Sequence, residues 1–438
     1  LGVAMALPMR RQLIEVEQLP FPSATAAALM ILDRQERSAR PKVQGLVLAI
    51  ATLSSAALAM MRDYAMRVPL TWLVPGSLRG FSVGIDISGL YLGVGALMGL
   101  RLTLSMLFGS VCLVAIAAPL ALQVAPTADV AAEMTASLGQ WAGTGMLMVS
   151  GMWALVAQGA PTLRRFVQSD DDDVRVKRIA PTAIALACTV IAVGHVALEI
   201  SWMASALALA MSWATSIVAA RAAAATDVTP SGPLSQFTQL AVSRLVPGPA
   251  VSNLMASSIA GNTSAAAADV LADLKIGSMV GVPVKHQIKA QLWGCVVGAA
   301  VIVPLFEKLI PDRSAIGAQG FSVPAAHVFA KLATLLADGS TLADRSIQVA
   351  VGVGIFGSLM LEGLGAVVPK TKALFVPSAT GVGVALLLPP STVAALVLGA
   401  VLARLVHGHL IDSQATSAAA AGLIAGESFT AIAVALAK

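Results

Sequence analysis

Long apolar stretches separated by short basic loops restrict the fold of this chain more than any other feature. Candidate spans read at roughly 43–61, 83–100, 102–125, 138–160, 179–200, 201–220, 285–305, 346–368, 380–403 and 415–437, each close to the about 20 apolar residues that cross a bilayer as a helix. Hydrophobic residues make up 57% of the chain and charged residues 12%, with a mean hydropathy of +0.83, whereas about a quarter of a soluble globule is charged. The expectation is an all-α integral membrane protein, a polytopic helical bundle, because a barrel would show alternating strands of about ten residues. Aromatics at 4% and abundant Gly, Ala and Ser suit helices whose backbones approach closely. The net charge of +5 comes from Lys and Arg in short loops, where the positive-inside bias accounts for it without a nucleic-acid partner.

Cys112, Cys188 and Cys295 fall within apolar spans and lack metal-ligand or disulfide spacing, so all three are expected in the core. The chain opens on Leu1 in the last turns of an apolar stretch ending at Arg10–Arg11, with no signal peptide visible. One or more further spans are therefore expected ahead of Leu1.

The loop Pro161–Arg178 holds Arg164, Arg165, Arg175, Lys177 and Arg178 and is expected on the cytoplasmic side. The loop Ala125–Leu138, with Asp129 and Glu133 but no Lys or Arg, would face the other side. Counting back places Arg101 inside, and the basic loop Asp33–Lys42 too if 43–61 and 83–100 both cross, together with Arg10–Arg11. Gln12–Leu32 must then enter and leave by one face, as a re-entrant hairpin turning near Leu19–Ser23. Irregular backbone at that depth is tolerated where it is buried in protein or lines a wet cavity.

Two halves of the chain repeat one order of motifs. The proline-broken run Leu19–Ala28 (LPFPSATAAA) is followed by a basic turn and the span Lys42–Ala57; the small-residue run Ala260–Gly277 is followed by a basic turn and the span Lys285–Ala300. Trp72–Gly84 parallels Leu374–Leu386 with Pro75 and Pro377 in register, and Gly99–Leu104 parallels Leu402–His407. Residues 1–438 thus read as a single transmembrane domain with internal repeats, of units at approximately 12–125 and 250–437 linked by spans in 138–220. Each unit would supply one broken or re-entrant element, Gln12–Leu32 and Val251–Leu274, the arrangement in which transporters hold substrate near the midplane. Extra material near 306–345 includes His327–Ala337, which reads as an amphipathic helix.

Several stretches carry a resemblance to a known family: EVEQLPFPSATAAA (Glu15–Ala28), LYLGVGALMGLRL (Leu90–Leu102), TDVTPSGPLSQFTQL (Thr226–Leu240), AGNTSAAAADVLADLKIG (Ala260–Gly277), KHQIKAQLWG (Lys285–Gly294), LLLPPST (Leu386–Thr392) and GESF (Gly426–Phe429). In this order the chain resembles the oligopeptide transporter family, which includes the yellow-stripe metal-chelate carriers. The family usually shows Gly where this chain has Ala24, and Glu where it has Ala225, departures that bear on substrate class rather than fold. The resemblance implies a proton-coupled importer of about sixteen spans, and hence a chain lacking its family's amino-terminal third.

Ionisable groups inside apolar spans are costly and are functional candidates by default. They are Asp86, His195, Glu199, Asp269, Asp273, Glu362 and Glu427, with Asp227 at a span end beside Pro230, where a helix should be interrupted. His195 and Glu199, four apart on one helix face, could pass a proton or simply satisfy each other. Asp269 and Asp273 repeat that spacing after Asn262–Thr263–Ser264, which could cap a half-helix whose free N–H groups attract an anion; pairing of Asp273 with Lys275 or Lys289 is the plainer alternative. Glu362, between glycines in GSLMLEG, is the first candidate for a buried proton-binding carboxylate.

His407–Gly408–His409 lacks a third metal ligand, Gly426–Thr430 lacks the second glycine of a nucleophile elbow, and no phosphate-binding loop is present. No cofactor or metal is expected. The sequence therefore points to a secondary transporter importing small oligopeptides or peptide-like metal chelates with protons, in a multi-pass arrangement in a cell membrane, the bacterial inner membrane being the expected one. An intramembrane enzyme or a passive channel are the alternatives. The expected substrate cavity is lined by Pro22, Ser23, Thr25, Tyr91, Asn262, Thr263 and Ser264, and proton coupling is expected of Glu362, Glu427, Asp269, Asp273, His195 and Glu199. Expected partners are the peptide or chelate, protons and membrane lipid; pairing as a homodimer is left open.

Overall fold

The structure is a computed structural model that describes all residues except 36–41, 65–67, 75–78, 158–175, 199, 310–344, 369–375, 407–412 and 438. It is a helical membrane bundle. Five helices among the described residues are long and apolar enough to cross a membrane: Gly45–Arg62, Leu100–Val124, Trp202–Thr226, Val284–Pro304 and Arg345–Val367. The loop Pro161–Arg178 (largely), the helix expected at His327–Ala337, Glu199 and the His407–His409 triplet lie outside the described residues.

In chain order the helices are α1 (Gly2–Arg10), α2 (Pro22–Gln35), α3 (Lys42–Ala59), α4 (Gly89–Met98), α5 (Leu100–Cys112), α6 (Ala118–Val124), α7 (Ala128–Ala157), α8 (Val176–Leu198), α9 (Trp202–Thr226), α10 (Ser231–Leu245), α11 (Ala250–Val280), α12 (Val284–Leu309), α13 (Arg345–Val367), α14 (Ala379–Ala385), α15 (Pro390–Val406) and α16 (Ser413–Ala437). Widened π-turns at Arg11–Val16, Met60–Tyr64 and Leu113–Ala117 extend α1 and α3 and join α5 to α6. A short hairpin pairs β1 (Thr71–Leu73) with β2 (Gly84–Asp86), Thr71 opposite Asp86.

The chain forms two compact units. The first comprises Leu1–Arg11, Leu163–Ala219 and Ser231–Arg345. Its spine is α11, 31 residues long and so about 46 Å at 1.5 Å per residue. Gly2 of α1 lies against Ala266, and Gly261 leaves room for Ser235 of α10. The helix stops at Gly281, left-handed at φ 81, a conformation that only glycine adopts freely. Val251–Leu274 is therefore not broken, contrary to the sequence reading. No proline interrupts Ala250–Val280, and the Ser264 hydroxyl donates back to the Gly261 carbonyl 2.9 Å away, so Asn262–Thr263–Ser264 ride on a continuous helix instead of capping a half-helix.

The second unit comprises Gln12–Thr162, Ala220–Pro230 and Ser346–Lys438. Glycines set its packing. Gly422 and Gly426 of α16 sit on the carbonyls of Leu48 and Thr52 in a parallel pairing with α3, and Gly93 of α4 sits on that of Ala420. Gly95 meets the carbonyl of Leu396 while Gly399 meets that of Leu92, an antiparallel exchange between α4 and α15. Gly145 on Val351 and Gly354 on Ala142 join α7 to α13 in the same way. Where lipid replaces water, such backbone approach supplies the dispersion contacts that hydrophobic burial cannot.

Further spans differ from their expected form. Residues 83–100 hold β2 and the ten-residue α4 rather than one crossing helix. Ser88 caps the start of α4, and Gly99, at φ 82, ends it. Residues 380–403 are split between α14 and α15, because Pro389–Pro390 removes two N–H donors and Pro390 opens a new helix at its favoured first position. Helix α7 begins ten residues before the expected 138, with Asp129 in its first turn, where the helix dipole favours an acid. Cys188 and Cys295 are exposed rather than in the core, since a lipid-facing surface accepts a thiol as readily as an interior does.

Replacing Gly95 by Val tests the backbone packing. Its Cβ would come 2.0 Å from the Leu396 carbonyl oxygen, so the expected loss is about 1–3 kcal/mol or more, read as a lower unfolding temperature in detergent. Gly294→Ala, where nothing lies within 4 Å of the added carbon, should stay within about 0.5 kcal/mol of the parent.

Candidate functional site

In the second unit, broken elements converge on a cavity of about 440 Å³. Arg62 at the end of α3, Asp86 of β2, Ser88 and Tyr91 at the start of α4, Thr392 of α15 and Glu427 of α16 all line it. The volume lies in the range of small-molecule sites, about 300–1,000 Å³. A smaller cavity of about 180 Å³, which shares Ser82 and Pro389 with it, is lined by apolar and hydroxyl side chains without an ionisable one among the described residues.

Glu427 is 8% exposed. Its carboxylate pairs with Arg62 at 2.8 Å, accepts from the Ser88 hydroxyl at 3.0 and 2.9 Å, and accepts from the Leu90 amide at 2.9 Å. Arg62 also donates to the Ile87 carbonyl at 2.9 Å. The carboxylate thus closes the amino terminus of α4, where the helix dipole favours negative charge, and a buried guanidinium balances it. Asp86 is held differently. Thr71 of β1 donates to one oxygen at 2.9 Å and Thr392 of α15 to the other at 2.6 Å, and no cation among the described residues pairs with it.

The backbone is strained beside this site. Ser82 adopts φ 54, a region costly for residues other than glycine, and its carbonyl accepts from the Ser391 amide at 3.0 Å. Strain of this kind persists only where the surroundings enforce it, and it gathers at functional sites.

A second polar cluster in the same unit surrounds the break before α2. Gln18 and Phe21 have φ 50 and 44, and Asp227, which ends α9, has φ 60. Arg221 grips Glu17 with two hydrogen bonds of 2.8 and 2.7 Å, Gln12 donates to Glu17 at 2.8 Å, and the Phe21 amide donates to the Ala224 carbonyl at 2.7 Å. Asp227 accepts from the amide and the hydroxyl of Ser23. Helix α9 stops at Thr226 and α10 starts at Ser231, the interruption expected from Pro230.

Of the expected site residues, Tyr91 lines the large cavity and Glu427 anchors it. Pro22 opens α2, Ser23 is bonded to Asp227, and the Thr25 hydroxyl donates to the Pro20 carbonyl at 2.6 Å. Glu362, half-buried on α13, lies within electrostatic reach of Arg221. Asn262, Thr263, Ser264, Asp269 and Asp273 belong to the first unit, where Asp273 accepts a hydrogen bond from Gln291 rather than from Lys275 or Lys289. The structure does not gather them with Tyr91 in one unit. His195 Nδ1 lies 3.0 Å from the Ile200 carbonyl, and its ring packs on Trp202 with centroids 4.2 Å apart.

Arg62 escaped the sequence reading because a cation closing an apolar span looks like a loop charge. Thr71, Ser88 and Thr392 are ordinary polar residues in sequence; only the proline pair ahead of Thr392 signals its broken backbone. No group of three His, Cys, Asp or Glu among the described residues could hold a metal ion.

A family model described as OPT oligopeptide transporter protein matches residues 1–438. The chain belongs to the oligopeptide transporter family. A Haemophilus influenzae protein named "Putative oligopeptide transporter" is 24% identical over 503 aligned positions, covering 98% of this chain and 78% of that protein. A Saccharomyces cerevisiae protein of the same description is 28% identical over 192 positions, 41% of this chain and 25% of its own length. Membership in this family and the apolar helices identify the chain as a multi-pass membrane protein of a transporter family.

Removing one partner of the ion pair strands the other. Glu427→Gln should cost about 3–5 kcal/mol in unfolding experiments, and adding Arg62→Met should recover part of that loss. Additive losses in the double variant would show that the two side chains do not depend on each other.

Proposed function

We propose that this protein is a secondary transporter that moves small oligopeptides across a cell membrane, bacterial in the first instance, with protons as the coupling ion. The observation that carries the reading is the cavity at the start of α4, where a broken helix, a balanced ion pair and a carboxylate that no cation among the described residues pairs with meet in a space of small-molecule size. Family membership and the names of the two relatives support peptides as the cargo. With the basic loop Asp33–Lys42 ahead of α3 taken as cytoplasmic, the end of the span Gly45–Arg62 that carries Arg62 faces away from the cytoplasm, so the cavity would receive substrate from outside.

Internal duplication supports the carrier reading as well. Gly95 meets the Leu396 carbonyl and Gly399 that of Leu92, a reciprocal contact of α4 with α15 of the kind a local two-fold relation would give. Alternating access in transporters commonly uses such repeats, which rock around a shared site. Glu362, near Arg221, is the carboxylate proposed to take up the proton, since protonating Glu427 would strand Arg62.

Purified protein in proteoliposomes should accumulate a di- or tripeptide against its gradient when the outside is acidic, and only equilibrate it when both sides share one pH. A peptide-like metal chelate in a parallel arm distinguishes the two cargo classes. If Glu362 takes up the transported proton, Glu362→Gln should retain peptide exchange and lose accumulation. Uphill uptake at the parental level by the folded variant would remove Glu362 from the coupling step.

A further inference from the structure

Among the described residues that line this cavity the charges do not balance. Arg62 and Glu427 neutralise each other at 2.8 Å, and the remaining carboxylate, Asp86, is held by two neutral hydroxyl donors from β1 and α15. Both Asp86 oxygens act as acceptors, as an ionised carboxylate's do, and Asp86 stays partly open to the cavity. A carboxylate that lines a cavity in a membrane protein without a counter-ion is costly, and a cationic ligand would relieve that cost.

We infer that Asp86 binds the primary ammonium group of the peptide substrate, its free amino terminus. This inference rests on the reading of the cavity as a peptide site. The surroundings suit an ammonium better than a metal ion. An ammonium has three N–H donors to place; Asp86 and the Thr71, Thr392 and Ser88 oxygens offer acceptors among the lining residues. A metal site would call for further carboxylate or imidazole ligands, and the described residues supply no such cluster here. Thr71 and Thr392 are positioning residues. Each fixes one oxygen of Asp86, from different sides of the broken backbone, so the carboxylate presents one orientation to the cavity.

Calorimetric binding to the full chain in detergent tests this directly, with alanyl-alanine, N-acetyl-alanyl-alanine, N-acetyl-alanyl-lysine and propylammonium as probes. Wild-type protein should bind alanyl-alanine about tenfold or more tightly than its N-acetyl form, because a charge-assisted contact in a desolvated pocket is lost. Asp86→Asn should bind the two within about threefold of each other, with its unfolding temperature measured alongside. Equal binding of both dipeptides by wild-type protein overturns the inference while leaving peptide transport standing. Restored binding by N-acetyl-alanyl-lysine would assign the site to a lysine side chain and overturn the assignment to the terminus. Binding of propylammonium by wild type but not by Asp86→Asn, with neither dipeptide bound, would keep the ammonium site and remove peptides as cargo. Failure of all four probes overturns both.

Discussion

A helix that stops at membrane depth leaves backbone groups that lipid cannot satisfy. The second unit is organised around that constraint. The start of α4 is closed by the Glu427 carboxylate and the Ser88 hydroxyl, and that of α2 by Asp227. The Ser378 amide ahead of α14 donates to the Ser105 hydroxyl at 2.9 Å, and the Ser391 amide of α15 to the Ser82 carbonyl. Apart from the local Ser88 cap, the acceptor in each case comes from a distant part of the chain. The breaks thus become the points at which separate segments are tied together, and two of the ties are carboxylates set where helix dipoles favour them.

Close backbone approach makes those ties reachable. Glycines on α4, α15 and α16 let carbonyls come near enough that Glu427 can reach across to Ser88 and Arg62. The same contacts fix the walls of the cavity, so its shape and the stability of the unit cannot be separated. Burial of the Arg62–Glu427 pair requires each to be complete, since either charge alone would be stranded. Of the two carboxylates in this cavity, Asp86 is the one that no cation among the described residues pairs with, and for that reason it is the part of the cavity with most to gain from a ligand.

Much of this was legible in the sequence. Charge content and apolar length identified a helical membrane bundle, and Pro22 and Pro230 marked real interruptions, whereas hydropathy reads through the Pro389–Pro390 pair as part of one span. Small-residue content was a weaker guide, because the Ala-rich segment around Asn262 lacks proline and runs as one helix. Spans 83–100 and 380–403 misled because hydropathy averages over a break as easily as over a turn of helix. Within the site, Glu427 and Tyr91 could be named from an acid in an apolar span and a polar aromatic near a glycine-rich start. Arg62, Thr71, Ser88 and Thr392 could not, since their role comes from tertiary pairing across hundreds of residues and leaves no local periodicity.

Ligand protection of introduced cysteines measures most directly whether the cavity beside Asp86 is where substrate sits. Leu73 lines that cavity, whereas Asn262 is an exposed residue of α11 in the other unit. With the three native cysteines replaced, a transported dipeptide should slow maleimide labelling of Leu73→Cys and leave that of Asn262→Cys unchanged. Protection at Asn262→Cys with none at Leu73→Cys would contradict the account and place the substrate elsewhere.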